Sequence, residues 1–129
     1  MKSKIQFAVT LITGLLFING GLNKFFNYMP VPDDLPVALM NDFRALLEIV
    51  WLMPLIGFAE VAGGLLIIFP KTRALGLLIL FPVLIGILLT HLFVDTSGLP
   101  VALIMVGIVA WNIVSNRHKF LPLLSGAHA

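Results

Sequence analysis

Glu60 lies inside an otherwise apolar stretch, Leu55 to Phe69, and is the residue in this chain whose position most demands a chemical reason. A carboxylate at bilayer depth costs roughly 2.5 to 3.5 kcal/mol even on the lower, insertion-derived figures. Its retention calls for a partner or a ligand. Other polar groups stand near it in depth: Asn19, Asn23 and Lys24 toward the end of the first apolar stretch, and Thr90, His91 and Asp95 toward the end of the third. Together with Glu60 they form a candidate polar cluster, wet at one side and closing near the carboxylate. At 1.5 Å per residue, Glu60 sits roughly 13 Å below Trp51 and His91 only about 5 Å inside its own helix end. A direct hydrogen bond between the two is therefore not expected without a helix offset, and Asn19 is nearer in depth. Two states of Glu60 fit the sequence. One is a protonated carboxyl bonded to Asn19 or a backbone carbonyl, which desolvation favours; the other is an anion facing Lys24 or water. His91 and Asp95, four apart, can pair across one helical turn. One intramembrane histidine and one deep carboxylate make no recognisable metal-ligand set, so no metal and no catalytic residue is assigned. His118 and His128 fall on the C-terminal tail, far from the cluster.

The elements that position these residues follow from composition. Hydrophobic residues make up 60% of the 129 and charged residues 11%, and the mean hydropathy is +1.09, well outside the balance of a soluble domain. The expected fold is all-α: a polytopic membrane protein with four transmembrane helices in an antiparallel bundle. It occupies residues 1–129 as a single membrane domain, with spans at about 5–26, 51–69, 74–94 and 99–115. Helices of that length match a hydrocarbon core of about 30 Å. The basic leader Met1-Lys2-Ser3-Lys4 resembles the start of a signal peptide. The apolar run behind it is longer than such leaders carry and has no small-residue cleavage site, so an uncleaved helix is expected. Between the first two spans, Pro30, Pro32 and Pro36 interrupt the helix. Beyond them Leu39, Met40, Phe43, Leu46, Leu47 and Val50 recur at helical spacing, predicting an amphipathic helix over about 37–50 that lies in the interface or caps the bundle. Pro54 is expected to mark its joint with the second span.

Six of the eight Lys and Arg residues, namely Lys2, Lys4, Lys71, Arg73, Arg117 and Lys119, fall on one side of this topology. The positive-inside rule then places both termini in the cytoplasm. The net charge of +2 reports topology, and no basic run reads as a nucleic-acid surface. Small residues mark the faces expected to pack: Thr10, Gly14, Phe17, Gly21 and Lys24 on the first span, Gly57, Glu60, Val61 and Gly64 on the second, and Gly76, Val83, Gly86 and Thr90 on the third. The chain has no cysteine, so it cannot relay electrons through thiols by itself. Dinucleotide, phosphate-loop and nucleophile-elbow motifs are also missing.

The chain resembles the DoxX family of small bacterial four-helix membrane proteins. The resemblance is carried by Gly14-Leu15-Leu16-Phe17-Ile18 with Gly21 and Lys24, by Met53-Pro54-Leu55-Ile56, and by Glu60-Val61-Ala62-Gly63-Gly64-Leu65-Leu66. Lys71-Thr72-Arg73-Ala74 and His91-Leu92-Phe93-Val94-Asp95 extend it. It implies a bacterial inner-membrane location and a fold more than a reaction, since relatives include a subunit of a thiosulfate:quinone oxidoreductase, proteins linked to oxidative stress and, more distantly, receptor-assembly chaperones. The leading expectation is an accessory subunit, not a stand-alone enzyme, that binds a quinone or lipid-like molecule in the polar pocket. Membrane lipids, a second copy or a membrane oxidoreductase are the expected partners. The alternative is an interaction or assembly protein whose intramembrane polar groups hold partner helices without a small-molecule ligand.

Overall fold

The computed structural model describes residues 2–125; His128 of the expected tail lies outside the described residues. Within them the chain is all-α, with α1 (Lys2–Phe26), α2 (Val37–Glu48), α3 (Leu52–Ile68), α4 (Arg73–Phe93), α5 (Leu99–Ser115) and α6 (Arg117–Ser125). Local chemistry sets the boundaries. Asn27 takes the left-handed conformation (φ 51) and returns its amide to the Asn23 carbonyl at 2.7 Å, closing α1 as such residues commonly do. The break between α2 and α3 falls at residues 49–51, ahead of the joint expected at Pro54. Pro54 sits instead in the first turn of α3, where a missing amide donor costs nothing. The expected tail is helical as α6, which docks by packing Phe120 against the core.

Among the described residues, three helical segments are long and apolar enough to cross a membrane: Ser3–Phe26, Arg73–Phe93 and Thr96–Ser115. At 17 residues, α3 alone reaches only about 26 Å. Taken with α2 it passes the same test as a pair bent by 95°, the geometry of a broken span or of a re-entrant loop.

The most extensive packing is between α1 and α3, followed by α3 with α4 and α4 with α5. Glycines make the first of these possible. Gly14 faces Gly64 and Gly21 faces Gly57 in antiparallel register; a methyl on Gly21 would lie 2.5 Å from the Gly57 carbonyl oxygen, and one on Gly64 2.7 Å from that of Gly14. Backbones approach this closely because glycine carries no side chain, the arrangement also found where helices associate through van der Waals packing. Gly76 of α4 packs in the same way, its absent methyl 2.7 Å from the Ile67 nitrogen. Phe17, Ile67, Leu77, Leu80, Leu84 and Val109 form the core below these contacts.

Arg73, counted from the sequence among the basic residues on one side of the topology, is buried. It opens α4 and is 4% exposed. Its Nε donates to the Ile67 carbonyl at 2.9 Å, and one terminal nitrogen reaches the Ile68 carbonyl and the Thr10 hydroxyl, each at 3.2 Å. The last carbonyls of a helix lack intrahelical partners and carry its negative pole, so the guanidinium caps α3 and ties it to α1. Replacing Arg73 with Met is expected to cost about 2–3 kcal/mol, because buried acceptors lose their donors. Arg73→Lys, without the planar fork, recovers only part of that; unfolding in mixed micelles reads both values.

Candidate functional site

α1 and α3 run antiparallel with Gly21 against Gly57, and this register decides where Lys24 goes. The Lys24 stem crosses α3 over Gly57, where an added methyl would lie 3.1 Å from the Lys24 Cβ. Its ammonium then meets Glu60 Oε1 one helical turn further in, as an ion pair with side chains 22% and 7% exposed. The other carboxylate oxygen rests over Gly20, where an added methyl would come within 3.1 Å of it. Beyond the Lys24 ammonium, Oε1 has no hydrogen-bond partner among the described residues, and it is fully buried. Of the two states compatible with the sequence, the geometry corresponds to the carboxylate facing Lys24.

Both residues line a half-open cleft of about 570 Å³. Walls come from α3 (Met53, Ile56, Ala59) and α4 (Ile79, Pro82, Val83, Ile87), with Phe43 and Leu46 of α2 as a roof. Thr90 and His91 complete the polar lining. Thr90 donates its hydroxyl proton to the Gly86 carbonyl at 2.9 Å. His91 Nδ1 lies 3.0 Å from the Asp95 carbonyl oxygen. A carbonyl only accepts, so Nδ1 carries the proton and Nε2 of the neutral ring is an acceptor.

Four of the seven residues singled out from the sequence thus share one cavity: Lys24, Glu60, Thr90 and His91. Asn19, Asn23 and Asp95 have other partners. The Tyr28 hydroxyl donates to Asn19, reaching both its side-chain oxygen and its carbonyl, and Asn19 Nδ2 points to the Met29 sulfur at 3.4 Å. Asn23 Oδ1 accepts the Met29 amide at 2.8 Å. Both asparagines fasten the proline-rich segment onto α1. The Asp95 carboxylate accepts the Ser97 amide and hydroxyl at 3.1 and 2.9 Å, capping the turn Thr96–Gly98. It is the Asp95 main chain, not its carboxylate, that holds His91.

Gly86 corrects the packing stripe read on the third span. A methyl at Gly76 would clash, whereas one at Gly86 would meet nothing within 4 Å. Pro82 and Gly86, four apart on α4, are both exposed and both line the cleft. The roof residues Phe43 and Leu46 carried no sequence signal beyond amphipathicity. Comparison of the chain with protein-family models, with characterised proteins and with solved structures finds no match.

Proposed function

We propose that the chain is a small integral membrane protein of the DoxX kind. In this reading it binds an apolar molecule with a polar head group, a quinone or lipid, in the cleft between α3 and α4, as an accessory subunit of a redox or oxidative-stress system in a bacterial inner membrane. The observation that carries this reading is an apolar cleft whose lining includes a partly buried ion pair, Thr90 and His91. In the proposed topology α2 and α3 together make the fourth span, and both termini face the cytoplasm. Exposed Lys4, Lys71, Arg117 and Lys119 lie at the start of α1, in the α3–α4 turn and in α6, in keeping with the positive-inside rule. Large outward-facing side chains such as Phe58 (66% exposed) and Leu65 (50% exposed) suit a lipid environment, since water rarely borders contiguous apolar patches of this extent.

Native mass spectrometry of the gently extracted protein, followed by lipid extraction, tests the reading. A defined bound molecule is expected on the wild type and reduced on Glu60→Gln. It should be lost on Gly86→Leu, whose side chain grows into open space and fills the cleft without moving backbone. An empty wild-type cleft, with a membrane partner that co-purifies only while Glu60 is present, would replace this reading with the assembly role.

A further inference from the structure

None of the six Asp and Glu residues of the chain falls at the start of α1, in the α3–α4 turn or in α6. Those three segments hold Lys4, Lys71, Arg117 and Lys119, all exposed. Tertiary hydrogen bonds gather them. Gln6 of α1 donates to the Asn112 side chain of α5 at 2.9 Å, Arg73 at the head of α4 reaches Thr10 of α1 at 3.2 Å, and the Lys119 ammonium donates to the Pro70 carbonyl at 2.9 Å. The last of these draws Lys119 of α6 to the residue before Lys71. Arg73, two residues further on, adds a buried charge bonded only to neutral oxygens. Among the described residues the only salt bridge joins Lys24 to Glu60, so these cations stand together without a carboxylate partner. Like charges held close repel, and an anion over them relieves the repulsion.

The composition of α6 narrows the kind of anion. Its first turn exposes Arg117, His118 and Lys119 at the positive pole of the helix, where an anion is favoured and cations are not. Leu121, Leu123 and Leu124 follow, 56%, 68% and 86% exposed, while Phe120 packs against the core. A free phosphate ion would satisfy the cations and leave three leucines uncovered. A phospholipid answers both, since basic side chains meet its phosphate while apolar ones enter the acyl boundary.

From this pattern we infer that the face made by α6 and the α3–α4 turn binds anionic phospholipid, one whose head group carries net negative charge, in preference to zwitterionic lipid. The inference rests on the chain being a membrane protein, and not on the cleft between α3 and α4 holding a ligand. The lipid phosphate meets Lys71, Arg117 and Lys119, and an acyl chain covers the α6 leucines.

Titrations in micelles, read by native mass spectrometry, compare dioctanoylphosphatidylglycerol with dioctanoylphosphatidylcholine, which share chains and phosphate and differ in net charge. Inorganic phosphate serves as competitor. The phosphatidylglycerol is expected to bind about tenfold or more tightly, and raising salt from about 0.05 to about 0.5 M to shrink that preference severalfold. The triple variant Lys71→Gln, Arg117→Gln and Lys119→Gln, all at exposed positions, should abolish the preference. Gly86→Leu, which fills the cleft, should leave it intact. Equal binding of the two lipids by the wild type, a preference unmoved by salt or by the triple variant, or one lost on Gly86→Leu overturns the inference. Displacement of the lipid by inorganic phosphate at equal concentration also overturns it, in favour of a simple anion site. The lipid and salt comparisons use wild-type protein alone, so instability of a variant does not decide them. Alkaline carbonate washing of the membranes separates the premise: release of the chain overturns the membrane reading together with this inference, whereas a retained chain without lipid preference loses this inference alone.

Discussion

Lys24→Met alone is expected to destabilise the folded protein by about 3 kcal/mol or more, and adding Glu60→Leu should restore most of the loss. The first change leaves the Glu60 carboxylate inside the bundle with no partner, since Oε1 has no other hydrogen bond and its second oxygen rests over the α1 backbone at Gly20. The double change removes both charges and fills their place with apolar atoms of similar bulk, which is often neutral for buried pairs. A double-mutant cycle by reversible unfolding in mixed micelles measures the coupling between the two sites. Additive losses in the two single variants would mean that the ion pair contributes nothing to stability.

The second large effect is expected at the α1–α3 crossing. Gly64→Val should cost about 3 kcal/mol or more, at the top of the range for overpacked interiors or beyond it. The obstacle is backbone: the first carbon of any side chain at Gly64 lies 2.7 Å from the Gly14 carbonyl oxygen and 3.1 Å from Ile18 and Phe17. No rotamer relieves a contact with a carbonyl, so the helices must separate. Gly86→Ala, in open space, is the control and should gain slightly from helix propensity. Separation of α1 from α3 also withdraws Lys24 from Glu60. Lys24→Met should therefore cost much less in the Gly64→Val background than in the wild type, a non-additivity expected of sites that share one contact. Full additivity would mean that the glycine crossing does not position the ion pair.

Much of the helical layout was legible in the chain. Runs of apolar residues, the prolines after Phe26 and the small-residue faces of the first two spans are local signals, and α1, α3, α4 and α5 lie within a few residues of the segments they predict. Glu60 was legible as an outlier because one carboxylate in an apolar run stands out by type alone. Its partner was legible only as one of two alternatives, Asn19 for a protonated carboxyl or Lys24 for an anion. Depth counted along a helix leaves Lys24 near one end and Glu60 roughly 13 Å inside, and it omits the reach of a lysine stem across an interhelical gap. The burial of Arg73, read from the sequence only as one of the basic residues on one side, was not legible for the mirror reason: the orphan carbonyls that hold it belong to the preceding helix.

The sequence by itself therefore determined an all-helical chain of long apolar segments, the faces on which glycine permits close approach, and one carboxylate needing explanation. All three are properties of a residue and its neighbours within a turn or two. Tertiary structure alone decided that Lys24 completes Glu60, that Asn19 and Asn23 are spent on the proline-rich segment, and that Gly76 is packed while Gly86, on the same stripe, opens into a cleft. These depend on interhelical register and on where two helices stand apart, distances that the periodicity of a single helix does not contain.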